Sequence, residues 1–141
     1  MSEFGCNLII DTDSDIPNIV SEISGVPFTE ILIKGKPHIN SKGIEISKKL
    51  NSSNLWIYKV NRMQEKEGIY INHPLEDLFN LLNKNRFEFE KIFARYARKH
   101  VICYGYYRDF HQYFILKKDF IKLIASFDID IEFDVYFLDK E

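Results

Sequence analysis

The 141-residue sequence carries 19 Lys and Arg against 21 Asp and Glu, a formal charge of −2, and is 45% hydrophobic with 12 Phe and 8 Tyr. That length suits a single domain over residues 1–141 with one core, the aromatic content excludes a disordered chain, and the near-balanced charge argues against a general nucleic-acid binder, which needs a basic face. No apolar run reaches the roughly 18 residues of a membrane span and Met1-Ser2-Glu3-Phe4-Gly5 lacks a basic, apolar leader, so a cytoplasmic protein with no membrane partner is expected, its Cys6 and Cys103 reduced and packed as core.

In chain order, Asn7 to Ile10 reads as a first strand ended by the polar run Asp11-Thr12-Asp13-Ser14-Asp15. Ile16, Ile19, Val20 and Ile23 recur at helical spacing behind Pro17, with Asp15 as the expected N-cap and Gly25 as the stop. Thr29 to Ile33 predicts an extended segment up to a turn at Lys34-Gly35-Lys36-Pro37, and residues 40–53 read as an exposed loop with at most a short strand at Gly43 to Ile46. Asn54 to Val60 is a better strand with Trp56 as an anchor, followed by a charged link, Asn61 to Glu67.

Pro74 marks a helix start, capped by Asn72 or His73, with Leu75, Leu78, Phe79 and Leu82 as its apolar stripe. Asn83 to Arg86 interrupts the stripe; Phe87, Phe89, Ile92, Phe93 and Tyr96 resume it in another register, which predicts two consecutive helices or a broken one. Lys91, Arg95, Arg98 and Lys99 fall on the opposite side, where a solvated basic face is expected. His100 to Tyr107 and Gln112 to Leu116 read as a hairpin joined at Arg108 to His111, and Lys118 to Ser126 as a helix with Phe120, Ile121, Leu123, Ile124 and Phe127 turned inward.

The cleanest pattern is the last. Ile129, Ile131, Phe133, Val135 and Phe137 alternate with Asp130, Glu132 and Asp134, so one face of a strand builds core and the other carries charge. Its regularity predicts a place well inside the sheet. The element order β-α-β-β-α-α-β-β-α-β points to an α+β fold, a two-layer domain with a mostly antiparallel sheet covered by helices on one face.

Catalytic signatures are weak throughout. Asp11 and Asp13 after an apolar strand resemble the nucleophile strand of haloacid-dehalogenase-type phosphatases, but the required doubly wound parallel sheet is not predicted. Asp11, Asp13, Asp15 and Glu22 begin like a calcium loop, yet Ile16 replaces the turn glycine and Pro17 follows it, so a helix-capping corner is the better reading. His38, His73, His100 and His111 have no metal-ligand spacing, and the glycines form no phosphate loop. Neither metal nor cofactor is expected. Asp130, Glu132 and Asp134 are harder to dismiss, because like charges at neighbouring outward positions repel one another; a guarded sheet edge and a surface for a cationic partner are the two readings.

Taken together, the Asp13-Ser14-Asp15-Ile16-Pro17 corner, Gly25-Val26-Pro27, Lys34-Gly35, Trp56 and the ending Phe133-Asp134-Val135-Tyr136-Phe137 resemble the bacterial domain of unknown function 4279 family over nearly the whole chain, with a longer stretch at Pro37 to Asn51. The resemblance implies a small non-enzymatic immunity protein of the kind found beside polymorphic or contact-dependent inhibition toxins. On that reading the partner is a cognate toxin domain, a nuclease for instance, bound through Asp130, Glu132 and Asp134 with help from Tyr136, Asp11 and Asp13. The alternative is a small-molecule or peptide-binding module with an aromatic pocket of Tyr104, Tyr106 and Trp56.

Overall fold

The computed structural model describes residues 2–40, 42–64, 74–107 and 115–137. In chain order these form β1 (Ser2–Asp11), α1 (Asn18–Ser24), β2 (Glu30–Leu32), β3 (Pro37–Ile39), β4 (Glu45–Leu50), β5 (Leu55–Gln64), α2 (Pro74–Lys84), α3 (Arg86–Arg95), β6 (Lys99–Tyr107), α4 (Lys118–Ala125) and β7 (Asp130–Phe137). Five strands make one sheet in the order β2-β5-β1-β6-β7, and β3 pairs with β4 in a separate small sheet. All neighbours in the larger sheet are antiparallel except β6 and β7, which run parallel. The fold is α+β, as expected.

Strand register decides which residues meet. Cys6 lies opposite both Val60 and Cys103, Leu8 opposite Tyr58 and Val101, and Ile10 opposite Trp56, so alternate residues of three strands share one face. That face is the core: Cys6, Leu8, Ile10, Trp56, Val101 and Cys103 pack with Leu75, Leu78, Phe79 and Leu82 of α2 and with Phe89, Ile92 and Phe93 of α3. Edge-to-face rings finish the contact, Phe127 lying 5.8 Å from Phe79 and 6.2 Å from Phe93 between centroids. The Trp56 indole N–H is satisfied by Ser21 Oγ at 2.9 Å, which ties β5 to α1 despite the burial of the ring.

Several elements depart from expectation, each for a tertiary reason. The short strand allowed at Gly43 to Ile46 is β4, which starts at Glu45 and runs on to Leu50, and Pro37 opens β3 rather than closing a turn, because the two segments pair with each other and not with the main sheet. Among the residues predicted as a charged link, Asn61 to Gln64 continue β5, since β1 extends to Ser2 and supplies partners for them. Of the predicted hairpin, only β6 and the last two residues of its second strand are described: β1 occupies one side of β6 and β7 the other, and Ile115 and Leu116 are not strand. Residues 108–114 lie outside the described set, as do the proposed caps Asn72 and His73. Phe87 and Ile121, expected inside, are 67% and 50% exposed. The break between α2 and α3 falls at Asn85, whose side-chain amide donates to Leu81 O.

The largest correction concerns the last strand. Among the described residues β7 lies not inside the sheet but at its edge, because β1 already occupies the other side of β6; the crossover through α4 lets it run parallel to β6. Ile129 and Ile131 pack on the core, whereas Phe133, Val135 and Phe137 remain exposed on the helix side.

Candidate functional site

The sequence-predicted residues fall into two groups that the structure treats differently. Asp11 and Asp13 end β1 at the corner leading to α1. Asp11 accepts the backbone N–H of Asp13 through Oδ1, and Asp13 takes a left-handed φ of 54°, a conformation its short polar side chain tolerates. Buried Thr12 clamps the corner by donating to Asp15 O at 2.8 Å, and Asn54 Nδ2 donates to Asp13 O at 2.8 Å.

The carboxylates of this corner have cations already. Arg98 Nη2 stands 2.8 Å from Asp13 and 3.3 Å from Asp11, and the hydrogen bond to Asp13, followed by the charge of Asp11, raises the guanidinium pKa. Asp15 is not an N-cap; Pro17 occupies that position and no side chain caps the helix. Its Oδ2 instead accepts from Tyr96 Oη at 2.6 Å and Arg95 Nη2 at 2.9 Å. The hydrogen bond from Tyr96, ahead of the Arg95 charge, holds the Asp15 carboxyl below its usual range despite some desolvation. The basic side is solvated as expected at Lys91, Arg95 and Arg98, two of whose cations also hold the corner, while Lys99 donates to Phe93 O and Tyr96 O at the end of α3.

Asp130, Glu132 and Asp134 stand elsewhere. Their register partners on β6 are His100, Ile102 and Tyr104, which all point away from the core, so the three carboxylates line the face opposite the helices. All three are exposed. No cation pairs with Asp130 or Glu132 among the described residues, and Asp134 accepts a hydrogen bond from Tyr136 Oη at 3.1 Å. That bond is the main cause of a raised Tyr136 phenol pKa.

Beside the acids lies an aromatic strip that joins Tyr136 of the expected partner surface to Tyr104 and Tyr106 of the alternative aromatic pocket. Tyr136 stacks on Tyr106 with centroids 5.5 Å apart and planes 14° apart, and Tyr106 lies 6.0 Å from Tyr104. Tyr104 spreads across β1 at Gly5, where an added Cβ would come within 2.6 Å of its hydroxyl. Burial, then the nearby Glu3 carboxylate, raises the Tyr104 pKa. Trp56 is fully buried on the other side of the sheet, so it shares no pocket with Tyr104 and Tyr106.

At the far edge of the same face a second charged group joins the two sheets. Glu30, buried on β2, accepts from His38 of β3 and from Lys59 of β5 at 2.7 Å. Burial alone would raise the Glu30 carboxyl, but the two hydrogen bonds and the Lys59 charge outweigh it and hold the group below its usual value. These contacts leave Glu30 a structural link.

The geometry thus offers a row of three exposed carboxylates on an edge strand, flanked by stacked tyrosines, and a separate acidic corner neutralised by arginine. No helix of the described residues is long and apolar enough to cross a membrane. No curated protein and no solved structure matches the chain. A family model does match, over residues 2–138, and with nearly the whole sequence covered the chain belongs to the domain of unknown function 4279 family.

Proposed function

We propose that the protein is a non-enzymatic bacterial immunity or inhibitor protein, acting in the cytoplasm, that binds a toxin domain through the acidic face of β7. The observation that carries this reading is the contrast between two sets of carboxylates. Asp11, Asp13 and Asp15 are held by Arg95 and Arg98, whereas Asp130 and Glu132 are exposed without a cation among the described residues.

Residues two apart on a strand are separated by about 7 Å, and two unit charges at that distance in water repel by roughly 0.6 kcal/mol. The repulsion is small enough for the fold to bear, and a cationic partner turns it into attraction. A nuclease domain, whose own cleft must be basic to hold nucleic acid, is the expected class of partner, and complementary potentials both speed encounter and select it. The proposed surface comprises Asp130, Glu132, Asp134 and Tyr136, with Tyr106 beside it; Asp11 and Asp13 help least, since Arg98 already pairs with both.

The test compares the wild-type protein with the triple variant Asp130→Lys/Glu132→Lys/Asp134→Lys in cells expressing the toxin domain captured by the wild type from its native lysate. Protection by the wild type and loss of both capture and protection in the folded variant support the reading. Equal protection by the two proteins overturns it.

A further inference from the structure

From the position of β7 at the sheet edge we infer that the partner supplies an extended strand which adds to the outer side of β7, with Lys or Arg at alternate positions facing Asp130, Glu132 and Asp134. This rests on the reading of the acidic face as a binding surface and specifies how that surface is engaged.

Three observations converge on it. First, β7 pairs with β6 along its whole length and has no strand on its other side among the described residues. Successive residues of a strand aim their backbone groups alternately to either side, so about half of its residues present N–H and C=O groups outward, the template used in strand addition. Second, exposure extends to both faces of the strand: of its 8 residues, all but Ile131 are exposed. An incoming strand therefore meets exposed side chains on both faces of the sheet, carboxylates on one side and Val135 on the other.

Third, charge identifies the occupant. In a continuous antiparallel sheet with a second copy of the chain, the carboxylates of both β7 strands would lie side by side on one face, and like charges directly opposite are destabilising. Self-pairing is thus disfavoured by the same residues that favour a strand alternating cationic and apolar side chains. Stacked Tyr106 and Tyr136 stand on the acidic face near the end of the strand, where a guanidinium or ammonium can lie against a ring with Asp134 alongside. Charged residues guarding an edge deter neutral strands and like-charged ones; they do not deter a cationic one.

Two fluorescently labelled eight-residue peptides of identical composition test the inference: one alternates lysine and valine, the other places four lysines before four valines. Each is titrated into the wild-type protein, with hydrogen exchange of the β7 amides followed in parallel. The alternating peptide is expected to bind about tenfold more tightly than the block peptide, since only it can satisfy the edge and both faces at once, and to slow exchange of the outward β7 amides. Equal affinities with unchanged exchange overturn strand addition while leaving electrostatic binding by the acidic face in place. Binding of neither peptide, at low salt as well as physiological salt, overturns strand addition and the acidic-face reading together.

Discussion

Tyr96 donates a 2.6 Å hydrogen bond to Asp15 across 81 positions of sequence, fastening the corner after β1 to the end of α3. The tyrosine ring is buried and its hydroxyl reaches the half-exposed carboxylate, so core packing and surface charge meet in one contact. Burial, then the bond to Asp15, pushes the Tyr96 phenol up to about 12. The pair keeps its proton on tyrosine and its charge on aspartate throughout the neutral range.

Replacing Tyr96 with Phe keeps the ring and removes the bond. Stability is expected to fall at neutral pH, by less than a buried charge-assisted hydrogen bond would give, because solvent screens the Asp15 carboxylate. Asp15 has a folded pKa below its unfolded value of about 3.9, so the ionised group stabilises the fold above that value and the contribution is lost as pH falls through the folded one. Urea unfolding of both proteins should therefore show a gap at pH 7 that narrows towards pH 3. A gap that stays constant with pH would mean that the lost hydroxyl acts through something other than its bond to the Asp15 carboxylate.

Gly5 is required by close approach rather than by backbone conformation. A Cβ there would lie 2.6 Å from the carbonyl oxygen of Val60 on the paired strand, as well as 2.6 Å from the Tyr104 hydroxyl. Gly5→Ala should destabilise the protein by about 1–3 kcal/mol, the usual range for overpacking. Truncating Tyr104 as well should not restore stability, because the clash with the Val60 backbone remains. Recovery in the double variant would assign the whole effect to the tyrosine.

Cys6 and Cys103 face each other across β1 and β6, both buried and both free thiols. Burial, followed by the neighbouring Cys103, pushes the Cys6 thiol well above its usual range, and burial alone pushes Cys103 up to about 12. Since the thiolate is the reactive form, neither should react with a disulfide reagent at pH 8 in the native protein, and both should react in urea. Labelling of the folded protein at the rate of a free thiol would contradict the packing described.

Glu30 links the β3–β4 sheet to β2 and β5 through His38 and Lys59. Lys59→Ala leaves the buried carboxylate with a partner fewer, and the partial exposure of Lys59 limits the expected loss to about 1 kcal/mol. Because the Glu30 pKa is lowered in the fold, its stabilising contribution is present above the unfolded value and disappears as pH falls through the folded one. Hydrogen-exchange protection at β3 and β4, taken relative to the intrinsic rate at each pH, should fall on acidification before that of the β1 amides does. Simultaneous release of all strands would show that the small sheet has no independent stability.

Local pattern was enough to read much of this protein. The helix at Pro74 with Leu75, Leu78, Phe79 and Leu82 inward, the break before Arg86, and the alternation that sends Asp130, Glu132 and Asp134 to the face opposite Phe133 and Val135 all follow from periods of 3.6 and 2. Family membership was legible too, in the corner, turn and strand residues spread along the chain. What those periods cannot specify is where an element sits among its neighbours. Period 2 tells which way the side chains of β7 point, but its place at the edge of the described strands follows from β1 holding the other side of β6. Likewise, nothing near Asp11, Asp13 or Asp15 announces Arg95, Tyr96 and Arg98, some 80 positions away, which turn an apparent binding motif into a structural clasp. Side-chain direction is a property of a few consecutive dihedrals; edge position and charge neutralisation are properties of contacts between distant segments, so only the tertiary structure decided them.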